Sequence, residues 1–180
     1  MIKERLGVWG ESAGACSALW LGTHPDLAVP TASGEIEGES TRPWCVGAVN
    51  PQTSLDPAQM RAWLGPNMTY GPQAFGIHLP GGPTANFEAF LAAREKLLPL
   101  IDEYSPAAQL NHKGPPLYLA YSHIPLAPTK PPDYVHSPRF GIGFYQLARQ
   151  VGRECYLSYE GRKEDRYDDW LAFMIAKLEE

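Results

Sequence analysis

Four short apolar runs, each bounded by turn residues, constrain this chain more than any other feature. They are Arg5 to Trp9, Trp44 to Val49, Pro116 to Tyr121 and Glu154 to Tyr159. Runs that are apolar nearly throughout, instead of alternating with polar residues, suit strands buried on both faces of a parallel sheet. Parallel strands need long crossovers, and the intervening segments have helical character. Ala13 to Thr23 is rich in Ala and Leu and ends at Gly22-Thr23-His24-Pro25, a stop signal. Asn86 to Tyr104 repeats Phe87, Phe90, Leu91, Leu97, Leu98 and Ile101 mostly at helical spacing, with a break or kink expected at Pro99. Phe140 to Val151 sets Phe144, Leu147, Ala148 and Val151 on one face and stops at Gly152. Asp168 to Leu178 opens on acidic residues, which suit a helix N-terminus, and Leu171, Met174, Ile175 and Leu178 share a face.

Strands alternating with helices define the expected fold class. It is α/β, a mainly parallel sheet of about four strands with flanking helices and long Pro/Gly-rich loops. The loops at 28–43, 65–83 and 124–133 hold much of the Gly and Pro. A chain of 180 residues with 44% apolar and 19% charged residues can bury a core and is not a disordered polymer. Fifteen basic against 20 acidic residues give a net charge of −5, which argues against a nucleic-acid partner. No apolar run approaches the roughly 18 residues a membrane span needs, and the first residues do not look like a signal peptide, so a cytoplasmic protein is the default expectation. Cys16, Cys45 and Cys155 are odd in number and widely spaced, which indicates neither a disulfide framework nor a metal knuckle. The five histidines are scattered, and Glu164-Asp165 and Asp168-Asp169 read as a solvated turn and a helix start. No metal and no cofactor is expected.

One motif carries chemistry. Gly10-Glu11-Ser12-Ala13-Gly14 fits G-x-S-x-G, with an apolar strand entering it and a small-residue helix leaving it. That context suits a nucleophile elbow, in which Gly10 and Gly14 permit a sharp turn and Ser12 is held exposed at its tip. The amide of Ala13, at the helix N-terminus, could stabilise a developing oxyanion.

Leu6-Gly7-Val8-Trp9-Gly10-Glu11-Ser12-Ala13-Gly14 resembles the fifth strand and elbow of the α/β-hydrolase superfamily, esterase and lipase branch. Val49-Asn50-Pro51-Gln52-Thr53 looks like the end of its sixth strand, and Pro115-Pro116-Leu117-Tyr118-Leu119 is similar to the seventh. Cys155-Tyr156-Leu157-Ser158-Tyr159-Glu160-Gly161 looks like the last strand. Tyr104-Ser105-Pro106 and His136-Ser137-Pro138-Arg139-Phe140-Gly141 resemble a bacterial esterase subgroup. The resemblance implies a single truncated α/β-hydrolase-like domain over residues 1–180, matching the C-terminal half of the family fold.

A serine nucleophile needs a base, and the base an acid to orient it. The family's acid follows the seventh strand closely, where this chain has Ser122, His123 and Ile124. Counting back from the next helix singles out Asp133 instead. The family's histidine follows the last strand, where this chain reads Glu160-Gly161-Arg162-Lys163-Glu164-Asp165-Arg166-Tyr167. His136, three residues past Asp133, is the first substitute and His123 the second, with Glu164 or Tyr167 at the family's own position. The second oxyanion donor of the family lies in a loop for which Gly81-Gly82 is no counterpart. Trp20, Trp44, Trp63, Tyr70 and Phe75 are candidates for an acyl pocket or for the core.

A half sheet would leave the Leu6 to Trp9 strand as an apolar edge with no protecting Lys or Pro. The expectation is a homodimer or larger homo-oligomer formed through that strand. The favoured function is a serine hydrolase of small carboxylic esters, with Ser12, His136 and Asp133 as catalytic residues and no membrane partner. The alternative is an inactive hydrolase-like binding or companion subunit.

Overall fold

The computed structural model describes residues 5–31, 34, 36–122 and 134–180. The four apolar runs form β1 (Gly7–Glu11), β2 (Cys45–Val49), β3 (Leu117–Ala120) and β4 (Cys155–Ser158), all parallel and in the order β1-β2-β3-β4. The register aligns Val8 with Val46, Val46 with Leu117, and Leu117 with Cys155. Among the described residues seven α-helices accompany them: α1 (Ala13–Thr23), α2 (Pro57–Leu64), α3 (Gly82–Ala92), α4 (Arg94–Tyr104), α5 (Pro106–Gln109), α6 (Pro138–Val151) and α7 (Trp170–Glu179).

Side chains alternate across the sheet and so feed two cores. Val46, Ala48, Leu117, Leu119 and Leu157 face one layer, where they meet Ala15, Ala18 and Leu19 of α1 and Phe140 and Phe144 of α6. Cys45 and Tyr118 face the other, against Phe173 and Met174 of α7. Gly47 is what lets α7 lie so close, since a Cβ there would stand 2.8 Å from the Met174 sulfur. Strands β2 and β3 are therefore buried on both sides, as continuous apolar runs require. β1 lies at the edge of this sheet, as expected of that strand, but it is not buried on both faces: Trp9 is 57% exposed while stacking on Trp170 at 4.8 Å.

Two helical expectations are corrected. The 86–104 segment is two helices, and the break falls at Ala93, not at Pro99. Tertiary pairing marks the new start: Arg94 donates through Nε and Nη2 to the two Asp56 oxygens at 2.8 and 2.7 Å. Pro99 is accommodated inside α4 without the N–H that would have bonded to Glu95. In α7 the buried residues are Phe173, Met174 and Lys177, whereas Leu171 and Ile175 are half exposed. Helix α2, not among the expected helices, starts at Asp56-Pro57: Asp56 Oδ1 accepts from the Ala58 amide at 2.8 Å and Pro57 sits in the first turn.

Among the described residues, no helix is long and apolar enough to cross a membrane, and no cluster of three or more His, Cys, Asp or Glu could hold a metal ion.

Candidate active site

β1 ends at Glu11 and α1 begins at Ala13, so a single residue, Ser12, makes the whole strand-to-helix turn. Its φ of 53° and ψ of −118° lie where L-residues seldom go. Such a conformation costs on the order of 1–3 kcal/mol and persists only where its surroundings impose it. Here the Ser12 amide donates to Val49 O at 2.9 Å and the Cys16 amide to Ser12 O at 3.0 Å, tying the turn to β2 and to α1. Gly10 is required beneath it, because a Cβ would come within 2.4 Å of the Gly14 backbone. Gly14 is not: a Cβ there meets nothing within 4 Å, so close packing demands glycine at position 10 and leaves room for a side chain at 14. Glu11, Ala13 and Gly14 are exposed and Ser12 is half-buried. Ala13 is the first residue of α1, so its N–H has no acceptor within the helix.

The Ser12 Oγ lies 2.9 Å from His136 Nε2, across 124 positions of sequence. His136 sits at the foot of α6, where Ser137 caps the helix by accepting from the Arg139 amide and Pro138 occupies the first turn. The preceding peptide is held by Gln52, whose Nε2 donates to Val135 O at 2.7 Å. Thr53 Oγ1 donates to Phe140 O at 2.8 Å and anchors the first turn of α6. The Val49–Thr53 segment after β2 thus touches both the serine turn and the histidine turn.

The geometry of the remaining candidates is as follows. Asp133 and His123 lie outside the described residues. Tyr167 is in the aromatic group against α7, packed on Phe173 and Tyr156, on the sheet face opposite α1. Glu164 accepts from the Asp165 amide. His24 is at the far end of α1 from Ser12, 3.3 Å from a Glu103 oxygen. His112 borders a separate cavity beside Lys113 and Arg42.

A cavity of about 460 Å³ opens beside the histidine turn, lined among others by Tyr70, His78, Tyr134 and Val135. Of the five aromatic candidates only Tyr70 lines it. Trp20 donates to Glu103 O, Trp44 donates to Lys177 O, Trp63 packs on Gly143, and Phe75 packs at a tilt against Phe90. Burial pushes the Cys16 thiol up to about 11, so it remains a neutral thiol beside the serine turn at ordinary pH.

Sequence reasoning did not single out Asn50 and Gln52. Asn50 has φ 50° and its Oδ1 accepts from the Ser122 amide at 3.1 Å. An Asn-Pro pair directly after an apolar strand was the available signal, since Asn tolerates the left-handed region.

Neither a family model nor a curated protein matches the sequence. Solved structures do. The chain is similar to an acetyl ester-xyloside bifunctional hydrolase from Caldicellulosiruptor lactoaceticus, with 22% identity, TM-score 0.57, 87% of this chain and 46% of that one covered. It is also similar to a truncated carbohydrate esterase from gut microbiota, with 13% identity, TM-score 0.51, and 86% and 50% covered. A third is Thermogutta terrifontis esterase 2 phosphonylated by sarin, with 19% identity, TM-score 0.50, and 96% and 53% covered. The chain spans about half the length of these proteins. Its parallel sheet and these likenesses together show an α/β-hydrolase-like fold, the fold these solved structures share.

Proposed function

We propose that the protein hydrolyses small carboxylic esters through Ser12, held in a nucleophile elbow. The observation that carries this is the 2.9 Å approach of Ser12 Oγ to His136 Nε2 at a strained strand-to-helix turn. In this mechanism Ser12 Oγ attacks the ester carbonyl while its proton passes to His136 Nε2. The Ala13 amide donates to the tetrahedral oxyanion, a contribution typically worth about 100- to 1000-fold in rate. Collapse expels the alcohol, which takes its proton from His136. Water, deprotonated by the same nitrogen, then attacks the acyl-serine and regenerates the hydroxyl. Asp133 is assigned the orienting acid on its sequence position, counted back from the following helix. The cavity beside Tyr134 and Val135 is of a size for a short acyl or alcohol group.

The test is turnover of p-nitrophenyl acetate and butyrate by the protein and by Ser12→Ala. Loss of turnover in the variant supports the reading. Equal rates for the two proteins would overturn it in favour of an inactive, hydrolase-like binding subunit. For the edge strand β1 we propose association with a second copy, supported by the exposure of Trp9 on it and of Leu6 just before it.

A further inference from the structure

We propose that Gln52 is a positioning residue that sets His136 against Ser12 from the end of β2; the kinetic arm of its test rests on the ester-hydrolase reading. Gln52 is buried, with 3% of its surface exposed, and its Nε2 donates to Val135 O at 2.7 Å. The same nitrogen lies 3.4 Å from Asn50 O, so its two hydrogens serve carbonyls of two different loops. Val135 O belongs to the peptide that joins Val135 to His136. Because that peptide is planar, holding its carbonyl fixes the plane from which His136 departs and narrows the range its side chain can sweep. On the other flank Ser137 caps α6, and His136 is clamped from both sides.

The clamp has a fixed base. Tyr121 Oη donates to Pro51 O at 2.8 Å, the Asn50 amide donates to Ala120 O at 2.7 Å, and Asn50 Oδ1 accepts from the Ser122 amide. These bonds hold the segment to the end of β3, and Val49 O holds the Ser12 amide from the same segment. The nucleophile and the base are thereby referenced to one short piece of backbone. A displacement of about 1 Å in such a pair is enough to cost about 100-fold in rate.

Gln52→Met keeps the side chain's length and removes both donors; Gln52→Glu keeps its shape and turns a carboxylate toward the carbonyls it should serve. Both are compared with the wild-type chain by circular dichroism, by p-nitrophenyl acetate kinetics and by 15N NMR of the His136 ring. The expected result is a fall in kcat of about 10- to 100-fold with KM within about twofold. The His136 nitrogen signals should move from one defined tautomer in the wild type toward the average of a freely turning ring. If Gln52→Met loses its helical signal, Gln52→Glu carries the same readings. His136 signals unchanged in the folded variants overturn the proposal. If wild-type turnover proves independent of Ser12, the ester-hydrolase reading falls while the ring signals still decide the role of Gln52.

Discussion

The Ser12 amide donates to the carbonyl of Val49 at 2.9 Å, so the strand-to-helix turn is bonded to the end of the neighbouring strand and not only to its own helix. That bond occupies the Ser12 N–H, so the Ala13 N–H, at the start of α1, is the amide we propose for a developing oxyanion. It also helps hold Ser12 in a conformation that a free chain would leave.

Relief of that conformation should be measurable. Ser12→Gly removes the steric cost of φ 53° and should raise the unfolding free energy by about 1 kcal/mol, after allowance for the greater chain entropy of glycine. The same change should abolish turnover. Thermal unfolding and p-nitrophenyl acetate hydrolysis measured on one preparation check both halves.

The two glycines of the motif should respond in opposite ways. Gly10→Ala forces a Cβ against the backbone of Gly14, which has no side chain to move aside, and should destabilise by about 2 kcal/mol or more. Gly14→Ala adds a methyl in open space inside α1 and should stabilise by up to about 1 kcal/mol. Urea unfolding midpoints distinguish them, and equal effects from both changes would contradict the packing described.

His136→Ala should depress kcat by about 10⁴-fold or more, as expected when one member of a catalytic unit is removed. His24→Ala, at the other end of α1, should leave kcat within about twofold. Similar losses in the two variants would break the assignment of His136 as base.

Asp56 links α2 to α4 and should make stability depend on acid. Burial pushes its carboxyl up, but the Arg94 guanidinium and the Ala58 amide together outweigh burial and hold it below the usual carboxylate range. Its charged form therefore stabilises the fold at pH values above the unfolded value of about 3.9, and that contribution is lost as pH falls through the lower folded value. Asp56→Asn keeps the cap and loses the charge. The gap in unfolding midpoint between wild type and Asp56→Asn should narrow from about pH 6 to about pH 3.

The proposed association through β1 predicts a species heavier than 19.9 kDa in light scattering at micromolar concentration. Trp9→Lys, which sets a charge beside the edge, should shift it toward monomer. A wild-type chain that is already a clean monomer sinks the proposal.

Much of this molecule was legible before any coordinates. Sustained apolar runs suit strands with both faces covered, and β2 and β3 are such strands. A serine between a strand and a small-residue helix can only turn sharply, and Ser12 does. Local chemistry also ends α6 at Gly152, which takes a left-handed conformation, φ 74°, at low cost. The misreadings share one cause. A break was expected at Pro99 because proline is a local signal, yet it falls at Ala93, beside the distant Arg94–Asp56 pair. Leu171 and Ile175 have the right spacing for a buried face, but the position of α7 over Gly47 turns Phe173 and Met174 inward instead.

The sequence by itself determined the parallel α/β architecture and the serine turn, because both depend on side-chain polarity and backbone sterics over a few neighbouring residues. Only the tertiary structure decided which histidine reaches Ser12. That choice depends on Gln52, Thr53 and the cap of α6 converging on the turn around His136 from far along the chain. Hydrogen bonds between such distant segments leave no periodic trace in sequence, and they come into being when the sheet brings the ends of its strands together.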